Sequence, residues 1–129
     1  MDIGTLKNNY KYYDNSYYPE TEVILVLKES PDFNIHIANL YFSDIVDCPP
    51  LHGKGWHGFT RDYQEGKGAY ATLNDNKAEI SDLHEYLYDM LQYSQKQFRY
   101  EETKEVFELI ADFLRYAITT GQTVIVEVD

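Results

Sequence analysis

The stretch from Ser81 to Gly121 constrains this chain most, because it carries two amphipathic helices in succession. Leu83, Tyr86, Leu87, Met90 and Leu91 recur at the spacing that gathers side chains on one helix face. Glu85, Asp89, Gln92 and Lys96 fall on the opposite face. Ser81 is the expected N-cap, its hydroxyl accepting from an unpaired first-turn amide. Asp82 and Glu85 sit where the helix dipole favours negative charge. In the second helix Val106, Leu109, Ile110, Phe113, Leu114, Ala117 and Ile118 keep the same spacing. Glu101, Glu105, Glu108 and Asp112 make a stripe on its other side, and Gly121 is the expected left-handed stop.

The other elements read as strands. Thr21 to Lys28 is a nearly continuous β-branched and apolar run, expected as a central strand covered on both faces. Ser30-Pro31-Asp32 reads as a turn. Phe33, Ile35 and Ile37 then alternate with Asn34, His36 and Ala38, giving a half-buried strand and an antiparallel hairpin with the first. His36 is expected to be an exposed strand residue. Leu40 to Val46 fits either a strand continuation or a helical turn, and Cys48-Pro49-Pro50 ends it. Leu51 to Tyr70, rich in glycine, reads as a long loop. Short strands over Ala69–Leu73 and Lys77–Ile80 flank a turn at Asn74-Asp75-Asn76. Thr123 to Val128 is a last strand. Strands segregated from helices point to one α+β domain over residues 1–129, an antiparallel or mixed sheet with a two-helix hairpin packed on one face.

Charge narrows the function classes. The chain has 22 acidic and 11 basic side chains, a net charge of −11. That argues against nucleic acid or anionic lipid as a direct partner, since both need cationic contacts. It suits a basic protein partner, whose approach such a field accelerates; plain solubility is the simpler account of the same number. Thirteen tyrosines add residues that suit interfaces as well as core edges. Tyr10, Tyr12, Tyr13, Tyr17 and Tyr18 cluster between Asn8 and Tyr18, where covering the edge of the core is the reading favoured over a free aromatic arm. A single cysteine excludes an internal disulfide. Residues 1–7 lack an apolar leader core and no run is long enough to span a bilayer, so a cytoplasmic, membrane-free protein is expected.

No residue set carries a catalytic pattern strongly. Gly53-Lys54-Gly55-Trp56-His57-Gly58 matches G-x-G-x-x-G, but Pro49-Pro50 precedes it where a dinucleotide fold needs a strand. Cys48, His52 and His57 have zinc-type donors without a common ligand spacing. Cys48 with a histidine imitates a thiol nucleophile and its base, with nothing to activate the thiol. His57 with Arg61, Asp62 and Tyr63 resembles an acid–base cluster of a kind common on polar loops. No catalytic residue, cofactor or metal is therefore expected. Recognition is the better reading of this stretch: Trp56, His57, Phe59, Arg61 and Tyr63 are types enriched at binding hot spots. The alternative is that Trp56 and Phe59 plug a minor core.

The helix stripe also leans toward recognition. Glu85 with Asp89, Glu101 with Glu105, and Glu108 with Asp112 are like-charged pairs at i, i+4. Each costs an isolated helix about 0.2–0.5 kcal/mol, and Lys104 and Arg115 offset only part of it.

Together, the acidic helices and the segment Leu51-His-Gly-Lys-Gly-Trp-His-Gly-Phe-Thr-Arg-Asp-Tyr63 give a chain that resembles bacterial toxin-immunity proteins, in size and style those of contact-dependent growth inhibition. The resemblance is one of general character over the whole chain rather than of a defining motif. It implies stoichiometric binding of a toxin domain, a nuclease with a basic cleft, whose active site or substrate groove is occluded. Glu101, Glu105, Glu108 and Asp112 would steer the partner, with Tyr88, Trp56 and Tyr63 as anchors. Two other classes stay open: an acidic nucleic-acid mimic or regulatory adaptor, and a small metal- or thiol-dependent enzyme around Cys48, His52 and His57.

Overall fold

A computed structural model of the protein describes residues 2–13, 21–50, 55–71 and 76–129. Among these, five strands form one mixed sheet: β1 (Asn9–Tyr12), β2 (Glu22–Leu27), β3 (Ser30–Ala38), β4 (Lys77–Glu79) and β5 (Val124–Val128), in the order β1-β3-β2-β5-β4. β1 runs parallel to β3, and every other pair is antiparallel. Four helices accompany the sheet: α1 (Asn39–Val46), α2 (Gly58–Glu65), α3 (Leu83–Gln92) and α4 (Thr103–Thr120). The α+β architecture with a mixed sheet is thus as expected. The helical layer is richer than a two-helix hairpin.

Burial along β2 alternates strictly. Val23, Leu25 and Leu27 are wholly buried, whereas Ile24 and Val26 are half-buried. β2 is central, as its β-branched run suggests, but only its helix-side face is fully covered. On that side its three residues join Ile35, Ile37, Val124 and Val126 of the sheet with Val106, Ile110, Phe113 and Leu114 of α4 in one core. Each such side chain taken fully out of water contributes about 1.5–3 kcal/mol. The other face presents Ile24, Val26 and Ile125 with Glu22, His36 and Glu127, as the pairing register requires.

Several local expectations need correction. The β2–β3 hairpin turns at Lys28-Glu29, and Ser30-Pro31-Asp32 already belongs to β3. Of the two readings open for Leu40 to Val46 the helical one holds, with Phe42 and Ile45 packed inward. The stretch read as a long loop holds α2, ended by Gly66, then a 3-10 turn over Gly68–Tyr70 that replaces the start of the strand expected at Ala69–Leu73. Leu91 is exposed, so the buried seam of α3 runs through Tyr86, Asp89 and Met90. The cap of α3 is Asp82, not Ser81: its carboxylate accepts from the N–H of Glu85 at 3.1 Å.

The second helix of the pair behaves as its sequence dictates. α4 buries Val106, Leu109, Ile110, Phe113, Leu114 and Ala117, and also Phe107 and Ala111. Gly121 stops it at φ 67°, where the N–H groups of Gly121 and Gln122 reach the carbonyls of Ile118 and Ala117. The turn at Asn74-Asp75-Asn76, and Tyr17 and Tyr18, fall wholly or partly outside the described residues.

Candidate interaction surface

Two contrasting sets of acidic side chains stand out. An outward set lies on α4: Glu105 and Glu108 are exposed and Asp112 is half-exposed. They form one wall of a groove of about 240 Å³, with Thr5, Lys11 and Tyr12 opposite. The phenol of Tyr12 donates to Glu105 Oε2 at 3.3 Å. Burial, reinforced by Glu105, pushes that phenol above its usual range. Lys11 stands over the Tyr12 ring at 5.3 Å, and Arg115 pairs with Asp112 at 3.2 Å. Among the described residues no lysine or arginine is within ion-pair distance of Glu105 or Glu108. Glu101 is exposed just ahead of α4 rather than on it.

The inward set is Asp44, Asp62 and Asp89, all buried. Asp44, on α1, accepts from the N–H groups of Arg99 and Tyr100 and from the Thr103 hydroxyl, the last at 2.7 Å. It satisfies two backbone donors of the segment leading into α4 and the hydroxyl of the first α4 residue, all from another element. The ammonium of Lys96 donates to the carbonyls of Asp44 and Asp47 and holds the same corner. Asp89, on α3, accepts from the N–H of Thr60 at 3.0 Å and from its hydroxyl at 2.8 Å, so it caps α2. Desolvation raises its carboxyl above the ordinary value of 3.8, against the lowering by the Thr60 hydrogen bonds. Asp62 accepts from the phenol of Tyr86 at 2.5 Å, and burial with this bond holds that phenol well above its ordinary range.

This division revises the charge argument. Asp89 is a cap and Glu85 pairs with Arg61 at 3.3 Å, so that i, i+4 couple is no surface repulsion. Glu101 lies outside the helix. Glu108 with Asp112 is the one like-charged pair of the three that stands on an open helix face.

The aromatic candidates occupy a different region. Trp56 is half-buried, its indole N–H donating to the carbonyl of Cys48 at 2.9 Å. Tyr63 is half-buried too and meets Tyr70 edge-on, with ring centroids 5.6 Å apart. Both rings therefore tie α2 to its surroundings. Tyr88 is 67% exposed on α3. None of the three borders the Glu105–Asp112 groove. Phe59 lies in the main core, edge-on to Phe42 and Tyr86.

The motifs of the glycine-rich stretch resolve differently from their patterns. The element before it is helix α1, not a strand, and Gly53 and Lys54 lie outside the described residues. Gly58 serves packing: at φ 57° a Cβ there would come within 3.0 Å of the Tyr86 backbone. Cys48 is buried, and desolvation pushes its thiol up, which favours the protonated form. His52 is outside the described residues, among which no three His, Cys, Asp or Glu side chains are placed to hold a metal ion. No helix among them is long and apolar enough to cross a membrane.

Sequence reading missed Lys11 and Tyr12 as groove residues. Tyr10 and Tyr12 would share a face on a regular strand, but β1 shifts register between Asn9 and Tyr12. Tyr10 thus stacks on His36 while Tyr12 meets Tyr41 of α1 edge-on. Comparison with protein-family models, with curated proteins and with solved structures finds no match.

Proposed function

We propose that the protein is a stoichiometric inhibitor of the immunity type, binding a basic partner in the cytoplasm, with a nuclease toxin domain as that partner. The observation that carries this reading is the row Glu105, Glu108 and Asp112 along one wall of a groove that Tyr12 also lines. Among the described residues two of these carboxylates have no cationic partner, so a cationic side chain entering the groove gains their field without displacing a described internal pair. Glu101 extends the same field beyond the helix start, and the net charge of −11 adds long-range attraction. Tyr88 is the aromatic anchor with the most free surface, while Trp56 and Tyr63 contribute through the α2 surface that they stabilise. A binder of this kind uses neither cofactor nor metal.

The decisive measurement is binding kinetics with the partner recovered by co-purification. Charge reversal at Glu105, Glu108 and Asp112 together is expected to slow association about tenfold or more and to flatten its salt dependence. Tyr88→Ala is expected to act mainly on dissociation. An association rate and a salt slope unchanged by the triple reversal would remove the steering role.

A further inference from the structure

His36 lies on the sheet face away from the helices, and the polar atoms of described residues that meet its ring nitrogens are acceptors. Its Nε2 is 2.8 Å from Asn34 Oδ1. The Asn34 amide is not free to turn round. Its nitrogen faces the backbone carbonyls of Pro31 at 2.9 Å and Asp32 at 3.2 Å, and Oδ1 of Asn8 at 2.8 Å. Carbonyl oxygens around that atom require the donor end there, so Oδ1 accepts from the Nε2–H of His36. The other ring nitrogen, Nδ1, meets Oε1 of Glu22. A neutral imidazole has already spent its hydrogen at Nε2 and would present a lone pair to a carboxylate. One further proton between Nδ1 and Oε1 turns that repulsion into a charge-assisted hydrogen bond. The Tyr10 ring stacks on the imidazole at 3.9 Å and 20°, a position that suits a cation over an aromatic face.

We propose that the proton shared by His36 and Glu22 fastens β1 to the sheet, which makes β1 a proton-controlled strap. The same short strand carries Tyr10 against His36 and presents Lys11 and Tyr12 to the groove. Asn34 extends the link, since it joins the imidazole to Asn8, whose N–H donates to the Asp32 carbonyl at 3.1 Å. Among the described residues the titratable neighbours are Tyr10 from β1 and Glu22 from β2. Beyond them, β5 brings Glu127 opposite Ile24, the cross-strand neighbour of His36, and Asp129 exchanges backbone hydrogen bonds with Glu22. No lysine or arginine among the described residues pairs with Glu22. When the proton passes to solvent, two acceptors face each other, the imidazole lets go, and Tyr10 loses the cation beneath it. One wall of the groove then loosens. The inference concerns the free protein and stands whether or not the partner reading does.

The test follows the His36 ring nitrogens by NMR, together with amide-exchange protection from Asn8 to Tyr12, over about pH 5 to 9. Both are recorded for the wild type and for Glu22→Gln. In the wild type both ring nitrogens should carry hydrogen while β1 is protected. Loss of the Nδ1 proton should cut protection, corrected for intrinsic exchange rates, by more than about tenfold. In Glu22→Gln the side-chain amide can donate to Nδ1 of the neutral ring, so protection should no longer follow the ring's titration. A neutral ring beneath a protected strand, protection that stays level through the wild-type titration, or an unchanged response in Glu22→Gln would each overturn the proposal. Should Glu22→Gln fail to fold, the wild-type titration decides alone.

Discussion

The carboxylates beneath the helices and those on the open side of α4 share a chemistry and have opposite employment. Asp89 reaches from α3 to a first-turn amide of α2, which has no partner within its own helix, and Asp44 reaches from α1 to the backbone donors of the segment leading into α4. Glu105, Glu108 and Asp112 contribute nothing comparable to the core, and their attraction is directed outward. Net charge therefore overstates the surface: part of the acidity is structural cement, and only the remainder is available to a partner. Function should follow the outward set, and stability the inward one.

The sharpest way to break that contrast is Asp44→Ala. It leaves the Arg99 and Tyr100 amides and the Thr103 hydroxyl without their acceptor, and is expected to lower unfolding free energy by about 3 kcal/mol in urea titration. Asp89→Ala removes the cap of α2 and should cost about 1–2 kcal/mol. A pH series refines this second case. Because burial raises the folded Asp89 carboxyl above its ordinary value, its favourable contribution is complete below that value and fades as pH rises through the folded one. Asp89→Asn lacks this dependence, so its destabilisation, read from urea midpoints, should be larger in acid than at neutral pH. At the small end, charge reversal at Glu105 and Glu108 should move stability by no more than about 0.5 kcal/mol. A loss of several kcal/mol there would erase the distinction between the two sets.

How much of this was legible follows from what periodicity can detect. α4 and the strands β2, β3 and β5 announce themselves because apolar residues repeat at the right interval. Asp89 misled for the same reason: counting apolar positions assigns every aspartate to the wet face, although this one is 4% exposed. Its partner, Thr60, is distant in sequence, and only the tertiary fold joins them. α2 was hidden by its glycines, which read as loop until Gly58 is seen to admit α3 and Gly66 to end the helix. Trp56 and Tyr63 have the composition of hot spots, but residue type does not reveal that an indole N–H already has a backbone acceptor. The groove escaped notice because a register shift in a four-residue strand sends Tyr10 and Tyr12 to opposite sides.

The pairing of β5 also has a consequence for the order of assembly. β5 inserts between β2 and β4, and Val23 finds its partner in Val128. The seam at the middle of the sheet is thus made by segments far apart along the polypeptide, and closing so long a loop is slow. During synthesis the β2–β3 hairpin must wait with one edge of its central strand unsatisfied until the last strand arrives. For that interval the most apolar strand of the protein is open to strangers.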